Sequence, residues 1–207
     1  MIYFYGRIFR LLYPSLEWRV STLKKELFLT FDDGPIPGIT EFILDQLAIH
    51  NAKATFFCVG ENITKHPLIY KRILNEGHRV GNHTYNHLKG NISKNLDYFE
   101  NIALFDNIDT LSAKNNKPLF RPPYGKIKRS QIKFLKVKYR LIVWEILSGD
   151  FLPNMTPDKC LSILHKYARK GSIIVLHDNI KTENIVQEVL PVFLKEYKEK
   201  GYDFLSL

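Results

Sequence analysis

The residues of this chain best suited to chemistry are two adjacent carboxylates, a His-x-x-x-His pair, an arginine before two prolines and a late lone histidine. They lie in Thr30-Phe31-Asp32-Asp33-Gly34-Pro35, His83-Thr84-Tyr85-Asn86-His87, Arg121-Pro122-Pro123-Tyr124 and His177-Asp178. Asp33, His83 and His87 offer one carboxylate oxygen and two imidazole nitrogens. That set suits a catalytic metal site with three protein ligands and an open position. Nitrogen–oxygen ligation points to one divalent cation, Zn²⁺ first, with Co²⁺, Ni²⁺ or Mn²⁺ as alternatives. Side chains of adjacent residues in an extended chain point to opposite sides. One carboxylate of the pair would therefore ligate while the other stays free as a base. The planar fork of Arg121 suits holding that base in place. The stiff backbone after Pro123 presets the Tyr124 N–H as an oxyanion donor. His177 can protonate a leaving amine, and Asp150 can orient it and raise its pKa. Taken singly, each motif also fits a plain turn or a packed histidine. Their joint placement after apolar runs selects the chemical reading.

The elements that must position these residues alternate apolar strands with amphipathic helices. Strands are expected at 26–31, 54–59, 79–82, 119–121, 140–144, 172–176 and 202–205. Helices are expected at 39–50, 67–76, 93 to about 111, 128–136, 157–170 and 185–200. Ser93 and Thr156 read as N-caps, and Gly77, Gly171 and Gly201 as helix stops. This alternation is the pattern of βα units and a parallel sheet. About seven units suit a small or incomplete barrel, so the expected fold is α/β, a distorted (β/α)7-type barrel in one domain. In such a barrel the loops after the strands build the site. Asp32 and Asp33, His83 and His87, Arg121, Asp150 and His177 would then converge on one rim.

The chain has 207 residues and a formal charge of +9. Residues 26–207 are read as the catalytic domain, and 1–25 as an extension that packs on it or serves as a peripheral anchor. The N-terminal run to Pro14 is apolar but broken by Arg7 and Arg10, and it lacks a small-residue cleavage site. No run reaches the ~20 apolar residues that span a bilayer. A cytoplasmic or membrane-peripheral location is expected, with membrane contact through the N-terminus. The two cysteines, Cys58 and Cys160, make no disulfide framework. The basic stretch from Lys126 to Arg140 reads first as a solvated helix face, with an anionic-substrate or membrane-surface patch as the alternative. No zinc finger or aromatic-basic strand motif is present, so nucleic acid is not an expected partner. Lys181 reads first as a surface ion-pairing cation, with a substrate contact as the alternative. A monomer is expected.

Together these motifs resemble the NodB-homology polysaccharide deacetylases, carbohydrate esterase family 4, over about residues 26–207. The resemblance implies a divalent-metal hydrolase with Asp32 as base, Asp33, His83 and His87 as metal ligands, and His177 as acid. Arg121 would position Asp32, Asp150 would tune His177, and the Tyr124 N–H would meet the oxyanion. Two motifs depart from the family pattern. Phe151 stands where the family has Trp, and Val175 where it has Leu. Both are expected to wall the pocket for the acetyl methyl. The implied reaction is N-deacetylation of an N-acetylhexosamine in a glycan of peptidoglycan or chitin type, or in a sugar precursor. O-acetyl esterase or non-sugar amide hydrolase activity on the same site, and a catalytically silent glycan-binding module, are the alternatives.

Overall fold

The computed structural model describes residues 7–109 and 117–207. After a short helix α1 (Arg7–Leu12), the strands are β1 (Glu26–Asp32), β2 (Thr55–Cys58), β3 (Arg79–Asn82), β4 (Leu119–Phe120), β5 (Arg140–Leu141), β6 (Ile146–Leu147), β7 (Ile173–His177) and β8 (Asp203–Phe204). The helices between and around them are α2 (Ile39–Ile49), α3 (Gly60–Lys65), α4 (Pro67–Asn75), α5 (Asn95–Ile108), α6 (Arg129–Lys138), α7 (Pro157–Tyr167) and α8 (Glu183–Glu199). The sheet runs β5-β4-β3-β2-β1-β7-β6, and β8 pairs with the start of β1. Every strand pair is parallel. Parallel strands covered on both faces read as continuous apolar runs. β1 shows this: after Glu26 all of Leu27 to Asp32 is buried.

The period of two divides the side chains between two layers. Leu29 and Phe31 of β1, Phe56 of β2 and Leu176 of β7 join one apolar cluster with α2, α7 and α8. Phe28, Phe57, Leu119, Leu147, Ile173 and Val175 belong to a second cluster on the other side of the sheet. On this inner side Asp32 follows Thr30 two residues on, His83 follows Gly81, Arg121 follows Leu119 and His177 follows Val175. Strand periodicity thus aims all four side chains into the barrel mouth.

The strand expected at 140–144 is cut short as β5, and a separate short strand, β6, follows beyond it. Ile142 N–H still bonds Phe120 O at 2.9 Å, whereas Glu145 N–H bonds Ile173 O at 3.0 Å. The chain leaves the β4 edge and crosses to β7, so one segment faces both ends of the sheet. Among the described residues β5 and β6 do not pair with each other. The N-terminal segment packs there. Glu17 bridges Ile142 and Arg19 bridges Ser172, and Leu16 and Trp18 are buried. Val20 N–H bonds Gly171 O at 2.9 Å, and Gly171 lies at φ +81° with Val20 O 2.1 Å from where a Cβ would stand. Only glycine fits that joint.

Thr156 caps α7, its hydroxyl accepting from Lys159 N–H at 3.3 Å. Ser93 does not cap α5; its hydroxyl donates to Lys89 O at 2.7 Å, and the helix starts at Asn95. The expected end of that helix near Leu111 lies outside the described residues, as does the stretch 1–6. Helix α3 was not expected: Gly60 opens it, and Pro67 follows so closely that no long period develops. Both cysteines are buried free thiols. No described helix is long and apolar enough to cross a membrane.

Candidate active site

One cleft of about 550 Å³ is lined by Asp32, Asp33, His83, His87, Tyr124 and His177, with Trp144, Leu147 and Phe151 as apolar walls. Parallel pairing sets Asp32 beside His177 in register, with Phe57 on its other side. Arg121 N–H bonds Asn82 O at 3.0 Å, which places Arg121 next to His83.

Arg121 is fully buried. Its Nη1 donates to Asp32 Oδ1 at 2.6 Å and to Thr30 Oγ1 at 2.7 Å, and its Nη2 donates to Val143 O at 2.9 Å. The guanidinium lies over the Phe57 ring, 4.0 Å from its centroid. Burial draws the Arg121 pKa down and the Asp32 charge opposes this. A buried charge held this way stays fixed because loss of either partner leaves the other unpaired. Asp32 Oδ1 is engaged, and Oδ2 faces His83 Nε2 at 3.9 Å.

Asp33 turns the other way. Its φ of +89° is shared in sign by Thr84, His87 and Tyr124. Such left-handed non-glycine residues cluster where surrounding contacts hold strain at functional sites. The Asp33 carbonyl accepts from Asn62 Nδ2 at 2.7 Å. Its Oδ2 accepts from Asn179 Nδ2 at 3.1 Å, while Oδ1 lies 3.2 Å from His87 Nε2 and 3.8 Å from His83 Nε2. One donor atom from each of Asp33, His83 and His87 lies within 4.8 Å of the others. Ligands about 2.0–2.1 Å from a tetrahedral zinc stand about 3.4 Å apart, so the spacing fits a bound divalent cation. The donors are in the right form as well. Burial pulls the His83 pKa down to about 4, against Asp32, so the ring is neutral. His83 Nδ1 lies 2.8 Å from Arg121 O; donating there, it leaves the Nε2 lone pair for a ligand. Burial alone would raise the Asp33 pKa, but the His87 hydrogen bond and the fields of His177, His83 and His87 hold it below the usual carboxylate range.

His177 is held by Asp150 at two points. Its backbone N–H donates to Asp150 Oδ2 at 2.7 Å, and Nδ1 lies 2.9 Å from Oδ1. Ser148 Oγ also donates to Oδ1 at 2.9 Å. Burial would lower the His177 pKa. The charge and hydrogen bond of Asp150, with Asp33 and Asp32, outweigh it and raise the value to about 9. The Phe151 ring meets the imidazole edge-on at 5.1 Å.

Tyr124, at φ 60° and ψ 9°, lies in a short 3-10 turn after Pro123. Its ring is 4.6 Å from that of His87. Val175 is not a wall of the cleft: it is fully buried and absent from the lining. It stands two residues before His177 on the same strand face, about 6.6 Å deeper. Leu147, its register partner on β6, lines the cleft instead. Lys181 lines the cleft too and forms no ion pair among the described residues, contrary to the surface-pair reading.

Two contributors were missed by sequence reasoning. Asn179 is one, and its place as cap of the 3-10 turn at Ile180–Thr182 was the available signal. Asp178 is the other. Buried, it accepts from Gly34 N–H at 2.9 Å and Thr40 Oγ1 at 2.8 Å, and Thr40 Oγ1 accepts in turn from Ile36 N–H at 2.8 Å. It thereby ties the turn after Asp33 to α2, while burial raises its own pKa to about 8.

A family model described as polysaccharide deacetylase matches residues 19–139. A peptidoglycan-N-acetylglucosamine deacetylase of Bacillus cereus is 34% identical over 196 residues, 93% of this chain and 91% of the relative. The crystal structure of the Bc1960 peptidoglycan N-acetylglucosamine deacetylase, in complex with 4-naphthalen-1-yl-N-oxidanyl-benzamide, superposes with a TM-score of 0.88. It is 33% identical, over 96% of this chain and 94% of that one. A BA3943 mutant, described as a CE4 family pseudoenzyme with restored enzymatic activity, has a TM-score of 0.82 at 26% identity, over 94% of this chain and 70% of that one. Because the model spans more than half of the chain and a relative aligns along nearly all of it, the chain belongs to the polysaccharide deacetylase family, carbohydrate esterase family 4.

Proposed function

We propose that this chain removes N-acetyl groups from N-acetylhexosamine units of a glycan, with N-acetylglucosamine of peptidoglycan as the first substrate to consider. The names of the relatives support that choice of glycan. One observation carries the reading: the Asp33–His83–His87 donor cluster shares a cleft with an arginine-held carboxylate and a carboxylate-held imidazole. Asp33, His83 and His87 would hold one divalent cation, Zn²⁺ first, with Co²⁺, Ni²⁺ or Mn²⁺ as alternatives. When bound, it would polarise the scissile carbonyl and lower the pKa of water at the site.

The remaining chemistry belongs to the chain's own residues. Asp32, with Oδ1 engaged by Arg121, accepts a proton on Oδ2 from the water that attacks the carbonyl carbon. The Tyr124 N–H donates to the oxygen as charge develops on it. His177, with Nδ1 held by Asp150, donates its Nε2 proton to the nitrogen as the C–N bond breaks. Acetate and the free amine are the products, and proton exchange with water restores Asp32 and His177. Phe151, Leu147 and Trp144 supply apolar surface for the acetyl methyl. The test is acetate release from N-acetylglucosamine oligomers and from peptidoglycan by chelated and Zn²⁺-restored enzyme. Release that depends on the cation supports the reading. Acetate released only from O-acetyl esters would move the assignment to an esterase.

A further inference from the structure

Helix α6 reads RSQIKFLKVK, with four cations and no acid. Gln131, Ile132 and Leu135 form its buried face. Its opposite face is not simply polar: Phe134 is 63% exposed and Val137 80% exposed. A solvated helix face is normally charged or polar. Here two large apolar side chains stand outward, one turn apart, beside the exposed Lys133 and Lys136, which form no ion pair among the described residues. Lys138, at the end of the helix, is engaged by Asp106 at 2.7 Å.

Two neighbouring elements extend the surface. On one side α5 packs through Phe99, whose ring lies 4.4 Å from Phe134, and adds the exposed Leu96. On the other side Leu12 shares a groove with Lys133 and Lys136, and Leu12 and Leu11 at the end of α1 are both exposed. The patch therefore sets the unpaired lysines of α6 beside exposed apolar side chains of α1, α5 and α6, while α5 itself carries no cation and exposes Asp97 and Glu100. An acidic polymer in solution would use the cations and leave the apolar groups wet. An anionic bilayer surface meets both, since apolar side chains enter the headgroup boundary while the lysines meet lipid phosphates. The net charge of +9 favours the same encounter.

We propose that the outer face of α6, with Leu11 and Leu12, docks on an anionic lipid bilayer. Ile132 of this helix lines a cavity of about 360 Å³ that shares Tyr124, Lys126 and Trp144 with the catalytic cleft.

The test is sedimentation of the full chain with vesicles of phosphatidylcholine and phosphatidylglycerol at 3:1, and with pure phosphatidylcholine, at low and high salt. Binding is expected only to the anionic vesicles and should weaken at high salt. Lys133→Gln/Lys136→Gln should lose about 25-fold in partition, roughly fivefold per cation. Phe134→Ser/Val137→Ser should also lose at least tenfold, and Val137→Ser alone in the same direction should the Phe99 contact matter for folding. All variants should keep wild-type turnover of soluble oligomers, so a failure here is separate from any failure of the deacetylase reading. Equal binding of all variants, or none by the wild type, overturns the proposal. Loss in the lysine variant alone would reduce the face to electrostatic adsorption and overturn the docking mode. A dimer that Phe134→Ser dissociates, without vesicle binding, would assign the face to a second copy of the chain.

Discussion

Asn179 donates its Nδ2 to Asp33 Oδ2 at 3.1 Å, while Lys181 N–H bonds the Asn179 Oδ1 at 3.1 Å. The second contact fixes which end of the amide is which. With Oδ1 taken by a backbone donor, the NH2 group must face the carboxylate. One oxygen of Asp33 is thereby occupied, and the other is left facing His83 and His87. Asn179 acts as a positioning residue for the donor cluster.

Asn179→Ala should weaken Zn²⁺ binding by about 10–100-fold, the usual effect of removing a partner of a ligand. Chelator competition measures this without any turnover assay. Unchanged affinity would mean that Asn62 and the backbone alone orient Asp33.

His177 carries a pKa raised to about 9 by Asp150. The acid form is present below that value and is lost as pH rises through it. Asp150→Asn removes the charge that raises it and leaves the burial that lowers it. The basic limb of the kcat/KM profile should then move to lower pH, by roughly one to two units. A limb that stays in place would identify another group as the acid.

Gly34 leaves no room for a side chain, because a Cβ there would stand 1.8 Å from Asp178 Oδ2. That carboxylate cannot withdraw without giving up Gly34 N–H and Thr40. Gly34→Ala should destabilise the fold by roughly 2 kcal/mol or more. The double variant Gly34→Ala/Asp178→Ala should cost less than the sum of the single changes, since the clash then disappears. Additive losses in denaturant unfolding would contradict this.

His78 is buried, and its Nδ1 accepts from Ala54 N–H at 3.2 Å. Burial chiefly lowers its pKa from 6.5 to about 4. Between these values the unfolded chain binds more protons, so the stabilising contribution is complete above about 6.5 and fades as pH falls toward 4. The shift corresponds to about 3 kcal/mol. His78→Asn keeps an acceptor near the Nδ1 position but cannot protonate. Its stability relative to wild type should improve from pH 7.5 to pH 4.5. A constant difference would show that His78 is not a source of the acid sensitivity.

The legible parts of this fold were those with a single dominant period. β1, β2 and β7 announce themselves as apolar runs, and α2, α4 and α7 as amphipathic stretches closed by caps or glycines. The segment 140–148 was not legible as two strands, because its division depends on which sheet edge each end meets. In the site, Asp32, Asp33, His83, His87, Arg121 and His177 stood out because strand ends collect them and their types suit one chemistry. Asp178 and Asn179 did not, because their parts are set by Gly34, Thr40 and Asp33, more than a hundred residues away. Val175 was misplaced for a simple reason: the period of two gives the side of the sheet, not the depth.

The central claim is that Asp32 is the base beside a metal held by Asp33, His83 and His87. It is tested most directly by comparing wild type with Asp32→Asn for acetate release from N-acetylglucosamine oligomers, each chelated and then restored with Zn²⁺, with bound metal counted in parallel. The account predicts release by restored wild type only. Asp32→Asn should bind one metal ion per chain and lose about 10²–10⁴-fold in turnover. Wild-type turnover by Asp32→Asn, or full activity of chelated enzyme, would contradict it.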